Sequence, residues 1–231
     1  MTPALKILVI LTSHATAGTQ PTGVWLEEFT TPYYAFADAG AQVEVASIAG
    51  GAVPIDPHSI EAAGKNPASV ERYLKDEALR ARLASSKQLD GLHAADYDAV
   101  FMPGGHGTMW DLPDSAALAR LLSEAWGEGK VVAAVCHGPA GLVNVKDEKG
   151  QPLVAGRRVA AFTNTEEVAA GMDKTVPFAL ETRIRSLGAR YESGPDFQPF
   201  ALRDGRLVTG QNPASSARVA ELVLQALREG K

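Results

Sequence analysis

The chain has 231 residues and a formal net charge of −5 at pH 7, from 22 lysines and arginines against 27 aspartates and glutamates. This mildly acidic balance predicts neither a nucleic-acid partner nor an anionic-membrane partner, and no apolar run reaches the roughly 20 residues that span a bilayer. A single cysteine excludes an intramolecular disulfide and is typical of a reducing compartment, so we expect a cytoplasmic protein.

The first fifty residues alternate between strand and helix patterns. The apolar run KILVILT (6–12) predicts a first strand, and QVEVASIA (42–49) predicts a second. Between them, WLEEFTTPYYAFADAG (25–40) places aromatic side chains at helical spacing and ends on a glycine, which predicts a helix. This order of elements indicates βαβ units around a mostly parallel sheet.

Residues 50–90 interrupt this alternation. The stretch GGAVPIDPHSI (50–60) is rich in turn-forming residues, and ASVERYLKDEALRARLASS (68–86) has the pattern of one charged amphipathic helix. The segment does not indicate a separate domain. We interpret it as an insertion that covers part of the main domain, in the manner of a small cap.

The alternation resumes after residue 90. DYDAVFMPGGHG (96–107) predicts a strand that ends in glycines, and Asp114 is positioned to cap the helix SAALARLLSEAWGEG (115–129). KVVAAVC (130–136) predicts the most buried strand, because its centre has no polar residue. The remaining predicted elements are a strand in GRRVAAFTN (156–164), a helix in VPFALETRIRSLGA (176–189), a strand pair in ARYES (189–193) and GRLVTG (205–210), and a final helix in ASSARVAELVLQALREG (214–230).

The only cysteine, Cys136, lies at the carboxyl end of the predicted central strand. In open α/β sheets, ligands bind outside these strand ends. Gly138 allows a sharp turn into the next helix, whose N-terminal dipole favours the thiolate form of a nearby cysteine. Backbone N–H groups after such a turn can also stabilise an oxyanion. A buried structural cysteine is the alternative, and the residue type and position alone leave both open.

Two further stretches favour the nucleophile. Gly104, Gly105 and His106 end a neighbouring predicted strand, so they should face the same sheet edge and offer backbone N–H donors. AFTNTEEVAAG (161–171) supplies acidic residues close enough to orient His137. Each stretch alone could be an ordinary turn or an acidic helix start. Together they offer Cys, His and Glu at three strand ends.

Five blocks of the sequence carry a resemblance to a known family. The chain resembles the ThiJ/PfpI superfamily of class I glutamine-amidotransferase-like proteins, and within it the heat-shock-chaperone and glyoxalase III branch. The blocks are TGVWLEEFTTPYYAF, PGGHGTMWDLP, AAVCHGPAGL, AFTNTEE and DGRLVTGQNPASS, in this order. The resemblance implies a flavodoxin-like α/β fold, a three-layer sandwich with a mostly parallel sheet and a small cap insertion at about 50–90. It also implies a single ThiJ/PfpI-type domain over residues 1–231.

The resemblance also assigns roles around the cysteine. Cys136 matches the nucleophile on its elbow, and His137 matches its histidine partner. The third member is an acid in the block after AFTN, for which Glu167 is the better match and Glu166 the alternative.

A glutamate on the first helix is expected to hydrogen-bond the cysteine, and Glu28 fits this position better than Glu27. Such a contact requires a protonated Glu28, which burial achieves by raising its pKa. Gly105 and the backbone of His137 match the oxyanion-hole positions, beside Gly104. His106 matches a pocket histidine that has been proposed as a metal ligand in some relatives.

The activity implied by the resemblance is a glutathione-independent glyoxalase that converts methylglyoxal to lactate. Its substrate would be a small 2-oxoaldehyde, and a homodimer is the usual assembly in the superfamily. We expect no cofactor and no metal, since no nucleotide-binding glycine motif or ligand spacing occurs. Amidotransfer is disfavoured because no synthase domain is present. The alternatives are a holdase-type stress chaperone, a protein deglycase and, less favoured, a cysteine peptidase.

Overall fold

The computed structural model of the chain describes residues 4–230, in which strands and helices alternate as βαβ units require. The strands are β1 (Lys6–Leu11), β2 (Thr16–Ala17), β3 (Gln20–Pro21), β4 (Gln42–Ser47), β5 (Lys87–Gln88), β6 (Ala99–Met102), β7 (Val131–Val135), β8 (Arg158–Val159), β9 (Arg190–Tyr191), β10 (Ala201–Asp204) and β11 (Leu207–Gly210). The helices are α1 (Leu26–Asp38), α2 (Ala68–Lys75), α3 (Glu77–Ala84), α4 (Thr108–Asp111), α5 (Ala116–Gly127), α6 (Asn164–Ala169), α7 (Leu180–Ser186) and α8 (Ser216–Glu229).

The central sheet has seven strands in the order β10-β11-β7-β6-β1-β4-β5. All neighbours are parallel except β10 and β11, which pair antiparallel at one edge. Strand β7 lies between β6 and β11, and all five of its residues, VVAAV, are buried. Parallel strands that are covered by helices on both faces have continuous apolar sequences. This explains why the sequence pattern predicted the parallel sheet.

Side chains alternate along the strands between two hydrophobic cores. Leu8 and Ile10 of β1 face the core formed with α5, whereas Ile7 and Val9 face the core formed with α1 and α8. The sheet is therefore the middle layer of a helix–sheet–helix sandwich, and the predicted fold class is confirmed. Each fully buried aliphatic or aromatic side chain contributes about 1.5–3 kcal/mol of transfer free energy. Burial of apolar surface therefore holds both helical layers against the sheet.

The insertion at 50–90 differs from the predicted single helix. Asp76 ends α2, and its side chain accepts a hydrogen bond of 2.9 Å from the Leu79 N–H, so that it caps a second helix, α3. Both helices brace α1, through hydrogen bonds such as Tyr34 Oη to Asp76 and Thr30 Oγ1 to Ser69. An aspartate inside a helical pattern competes for the cap position, which breaks the pattern in two.

Three details predicted for α5 and the C-terminal segment were wrong. Ser115, not Asp114, caps α5 by accepting a hydrogen bond of 3.1 Å from the Leu118 N–H. The strand expected in GRRVAAFTN is only β8, which pairs with β9 in a separate two-stranded sheet. Consequently β9 does not pair with β11, whose partners are β7 and the unpredicted β10. Short pairings of this kind are set by tertiary contacts rather than by local pattern.

After β8 the chain leaves strand geometry and runs along the end of β7. The Ala160 N–H donates to Thr209 Oγ1, and the Phe162 N–H donates to the Cys136 carbonyl at 2.9 Å. This path brings the AFTNTEE block and α6 to the carboxyl edge of the sheet. Among residues 4–230, no helix combines the length and the apolar content that crossing a membrane requires.

Candidate active site

Cys136 follows β7 and occupies a left-handed backbone conformation, with φ of +61°. Its N–H donates to the Gly210 carbonyl of β11 at 3.0 Å, and its own carbonyl accepts from Phe162. A non-glycine residue with positive φ is strained and persists only when its surroundings hold it. Gly138 completes the turn, because a Cβ atom there would lie 2.1 Å from the Met102 carbonyl oxygen. The geometry is that of a nucleophile elbow.

A chain of short contacts runs from the cysteine to two histidines. Cys136 Sγ lies 3.3 Å from His137 Nδ1, and His137 Nε2 lies 2.7 Å from Glu167 Oε2. The other oxygen of Glu167 lies 2.6 Å from His106 Nε2. An ionised carboxylate only accepts hydrogen bonds, so both Nε2 atoms are assigned as donors. His137 then presents the lone pair of Nδ1 to the thiol.

The charges of this network follow from burial and from the contacts. Burial lowers the pKa of His137, and the neighbouring His106 lowers it further, against the opposing effect of Glu167. Burial raises the pKa of Glu167, but the charge of His137 and the hydrogen bonds from both histidines outweigh it and hold the pKa at about 2. At neutral pH the pair is therefore an ionised Glu167 and a neutral His137 that is ready to accept a proton.

Helix α6 determines which of the two adjacent glutamates reaches His137. Thr163 and Glu166 form a capping box at its start: the Glu166 carboxylate accepts from the Thr163 N–H, and Thr163 Oγ1 accepts from the Glu166 N–H. Glu166 is thereby turned away from His137, and the hydrogen bond to His137 is made by Glu167. The capping sequence T-x-x-E is visible in TNTE and could have distinguished the two residues beforehand.

Glu28 lies in the first turn of α1 and is 1% exposed. Its Oε2 accepts a hydrogen bond of 2.7 Å from the Gly104 N–H. Oε1 is buried and has no hydrogen-bond partner among residues 4–230. Burial raises the pKa of Glu28 to about 8, although the contacts with Cys136 and Gly104 oppose this shift. Glu28 therefore carries a proton at neutral pH. Glu27 is half-exposed and does not make the Gly104 contact.

The ionisation of Cys136 differs from the sequence-based expectation. Burial raises the pKa of the thiol well above its usual value, and the nearby acids, with Glu28 first among them, raise it further. The helix that follows the elbow is a short 3-10 helix, Gly138–Leu142, whose dipole does not outweigh these effects. The resting cysteine is thus a thiol, and it needs a base to become nucleophilic.

Two backbone donors lie beside the elbow. Gly105 has φ of +99°, and a Cβ atom there would lie 2.0 Å from the Gly23 carbonyl oxygen, so only glycine fits. A Cβ atom on Gly104 would lie 2.7 Å from the His137 nitrogen, which shows how closely the two segments approach. Within residues 4–230, the N–H groups of Gly105 and His137 donate no hydrogen bond. They are free to stabilise negative charge on a substrate oxygen.

The donor atoms of His106, His137 and Glu167 lie within 4.8 Å of one another, so these residues could hold a metal ion. The same atoms are already joined by the two short hydrogen bonds to Glu167. His58 does not belong to this group, because its Nδ1 pairs with Asp56 at 3.0 Å and its side chain is 71% exposed. A cavity of about 660 Å³ lies elsewhere, at the amino ends of β1 and β4.

Sequence reasoning missed a polar layer behind the site. Gln211 and Asn212 are fully buried and donate to Glu166 Oε1 at 3.1 and 2.8 Å. Asn212 is itself held by Ser215, whose Oγ donates to Asn212 Oδ1 at 2.9 Å. Phe162 was also missed, although its ring lies 4.4 Å from the His137 ring. The matched block GQNPASS was the available signal for the first two residues.

The fold and this arrangement agree with comparisons to known proteins. Residues 20–226 match the DJ-1/PfpI family, and the chain therefore belongs to that family. Among characterised relatives, the glutathione-independent glyoxalase HSP31 of Saccharomyces cerevisiae is 34% identical, and the alignment covers 96% of this chain and 98% of the relative.

Solved structures give the same result. The Rapid Encystment Protein 24 kDa of Francisella tularensis superimposes with a TM-score of 0.91 and 36% identity, over 96% of this chain and 99% of that protein. Glyoxalase III of Candida albicans superimposes with a TM-score of 0.85 and 32% identity, over 96% and 97% of the two chains. The resemblance drawn from the five sequence blocks is confirmed.

Proposed function

We propose that this protein is a glutathione-independent glyoxalase that converts methylglyoxal and water to lactate. Relatives that carry this activity in their names match the chain over nearly its whole length. The observation that carries the proposal is the pairing of one buried thiol with one proton acceptor and one proton donor. The acceptor is His137, and the donor is the protonated Glu28. An internal redox reaction of a 2-oxoaldehyde needs these groups and no external oxidant.

The first step joins the cysteine to the substrate. As Cys136 Sγ bonds to the aldehyde carbon, the thiol proton moves to His137 Nδ1, and the ionised Glu167 stabilises the resulting imidazolium. The aldehyde oxygen becomes an oxyanion that accepts hydrogen bonds from the N–H groups of Gly105 and His137. His137 then returns the proton to this oxygen, which gives a neutral hemithioacetal.

The second step moves a proton from C1 to C2 of the substrate. Glu28 is our candidate for this shuttle, because a carboxyl group with a pKa of about 8 exchanges a proton readily near neutral pH. Protonated Glu28 gives its proton to the C2 carbonyl oxygen, and the resulting carboxylate takes the C1 proton, which leaves an enediol. Glu28 then delivers this proton to C2 and takes the proton of the C1 hydroxyl, which gives the thioester and restores protonated Glu28. C1 is oxidised and C2 is reduced within one molecule, so the step is balanced without a cofactor.

Hydrolysis completes the cycle. His137 takes a proton from a water molecule as the water attacks the thioester carbonyl, and the C–S bond breaks. The sulfur recovers the proton from His137, and lactate leaves. The overall reaction consumes one water and regenerates the free thiol.

The test is production of D-lactate from methylglyoxal by the reduced protein, without glutathione or added metal. We expect turnover by the wild-type protein and a loss to the uncatalysed background in Cys136→Ala, because the covalent step needs the sulfur. Cys136→Ser serves as a control that preserves the packing of the elbow. Absence of turnover in fully reduced wild-type protein would contradict the proposal.

The same variants separate the alternative functions. Cys136 is 4% exposed, which disfavours a polypeptide substrate and hence a peptidase. Suppression of aggregation that persists in Cys136→Ala would indicate a holdase. Apparent deglycation that disappears once free methylglyoxal is exhausted would reflect glyoxalase activity.

We also propose that the chain acts as a single domain over residues 1–231, as a cytoplasmic homodimer, with the 50–90 segment as its cap. The acidic composition and the single cysteine support the compartment. Light scattering coupled to size-exclusion chromatography measures the assembly directly: a mass of about one chain would contradict the dimer.

A further inference from the structure

The loop 194–200 carries an exposed aromatic side chain in a strained conformation. Phe197 has φ of +57°, and its side chain is among the large hydrophobic ones left in solvent, with 48% of the residue exposed. Positive φ is costly for a bulky residue, and so is an exposed phenyl ring. A position that combines both is held there by other contacts.

The contacts lead to Glu166. The Phe197 N–H donates a hydrogen bond of 2.7 Å to Glu166 Oε1, the same oxygen that accepts from Gln211 and Asn212. Glu166 is completely buried. Beside it, Thr165 Oγ1 donates to Asp196 at 2.7 Å. The loop is thus tied to α6, the helix whose next residue, Glu167, bonds His137.

The ring of Phe197 ends a row of aromatic side chains that begins at the catalytic histidine proposed above. The His137 and Phe162 ring centroids are 4.4 Å apart, and the Phe162 and Phe197 centroids are 6.2 Å apart in an edge-on arrangement. His137 is 1% exposed, whereas Phe197 is the solvent end of the row. The row therefore links the buried His137, which follows Cys136 in the chain, to an aromatic ring at the surface.

We propose that Phe197 is a specificity-determining residue that restricts the size of molecules reaching Cys136, and that Glu166 positions it. This inference deepens the proposed function and rests on it for the substrate class: small aliphatic 2-oxoaldehydes pass the ring, and aryl-substituted ones are hindered. The size restriction itself is a property of the path to the thiol and does not depend on any reaction that follows.

The test uses alkylation of the thiol, because Cys136 is the only cysteine and the mass of the intact protein reports its modification. Rates are measured with iodoacetamide and with a bulky N-aryl maleimide, and their ratio is compared between variants. Both reagents react with the thiolate, so the ratio cancels any change in thiol ionisation.

We expect Phe197→Gly to raise the maleimide-to-iodoacetamide rate ratio about tenfold, because it removes the ring. Glycine suits the positive φ at this position, so the variant should fold, and a thermal melt checks this. Phe197→Tyr keeps the ring and should leave the ratio unchanged. An unchanged ratio in folded Phe197→Gly overturns the proposal.

Glu166→Ala tests the positioning role. Alanine offers no acceptor to the Phe197 N–H, so the loop should be released and the ratio should rise as in Phe197→Gly. A Glu166→Ala protein that is folded, as judged by its thermal melt, and that keeps the wild-type ratio would refute the role of Glu166. The kcat/KM values for phenylglyoxal and methylglyoxal provide the second readout. If neither aldehyde is turned over, the proposed function fails, while the alkylation ratio still decides the size restriction.

Discussion

Two buried carboxyl groups flank the thiol in opposite protonation states. Within the described part of the chain, Glu28 forms no ion pair, so burial raises its pKa to about 8 and it keeps its proton. Glu167 accepts hydrogen bonds from two histidines, which hold its pKa at about 2. Groups whose environments separate their pKa values in this way are typical of acid–base catalysis. The two residues have the same chemistry and receive different roles from their surroundings.

The pH dependence of activity follows from Glu28. The protonated form is the one that donates a proton and does not repel the thiolate, so kcat/KM should fall as pH rises through about 8. Glu28→Gln cannot ionise, and its profile should lack this falling limb even where its maximal rate is lower. The measurement is kcat/KM for methylglyoxal from pH 6 to 10 for both proteins.

The same group should affect stability with a definite sign. The folded-state pKa is raised, so the folded protein binds the proton more tightly than the unfolded chain. Its contribution to stability is complete below the ordinary pKa of a glutamate and is lost as pH rises through about 8. Urea unfolding at pH 6 and pH 9 should show a larger loss for wild type than for Glu28→Gln. Equal losses of stability in the two proteins would mean that Glu28 is ionised at both pH 6 and pH 9.

At the residue scale, the sequence predicted that Cys136, His137 and the acidic block meet at one sheet edge, and the structure brings them together. Glu167 was preferred to Glu166 only through the family resemblance. Local pattern leaves the choice open, because successive helix residues point about 100° apart and the helix phase depends on where the helix begins. The capping box at Thr163 fixes that phase. The ionisation of Cys136 was also missed, since it depends on acids that come from other elements.

At the element scale, α6 is a short helix that holds the Glu167 side chain against His137. Thr163→Ala removes the cap, and we expect a loss of about 1 kcal/mol in the free energy of unfolding together with a reduced kcat, because Glu167 is less well held. Ser115→Ala is the matched control, since it removes a similar cap from α5, which carries no site residue. The control should lose similar stability and keep its kcat. Equal kcat values in both variants would argue against a positioning role for α6.

The elements best predicted from the sequence were those with a strong local period. The strands expected at 6–12, 42–49 and 130–136 are confirmed as β1, β4 and β7, with ends shorter by one or two residues. The strand expected in GRRVAAFTN is limited to two residues, Arg158 and Val159. The apolar residues that follow are buried as a loop and not as a hydrogen-bonded strand of the sheet. Apolar content predicts burial, and pairing partners decide whether a buried segment is a strand.

At the scale of the whole molecule, stability and the site reside in different parts of the fold. Leu121 of α5 is fully buried in the core below the sheet, so Leu121→Ala should lower the free energy of unfolding by about 2–5 kcal/mol. Val168 is 61% exposed, and Val168→Ala should change the free energy of unfolding by less than about 0.5 kcal/mol. Denaturant titrations measure both values. The folded fraction of each variant should retain the wild-type kcat, and a selective loss of kcat in Leu121→Ala would show that this core also shapes the site.

Glu167 is shared by two imidazole rings whose centroids are 4.2 Å apart. One carboxylate balances one imidazolium, so Glu167 compensates the charge that His137 gains when it takes the proton from the thiol. The hydrogen bond from His106 holds the second oxygen of the same carboxylate. The orientation of Glu167 toward His137 is therefore set before any substrate arrives.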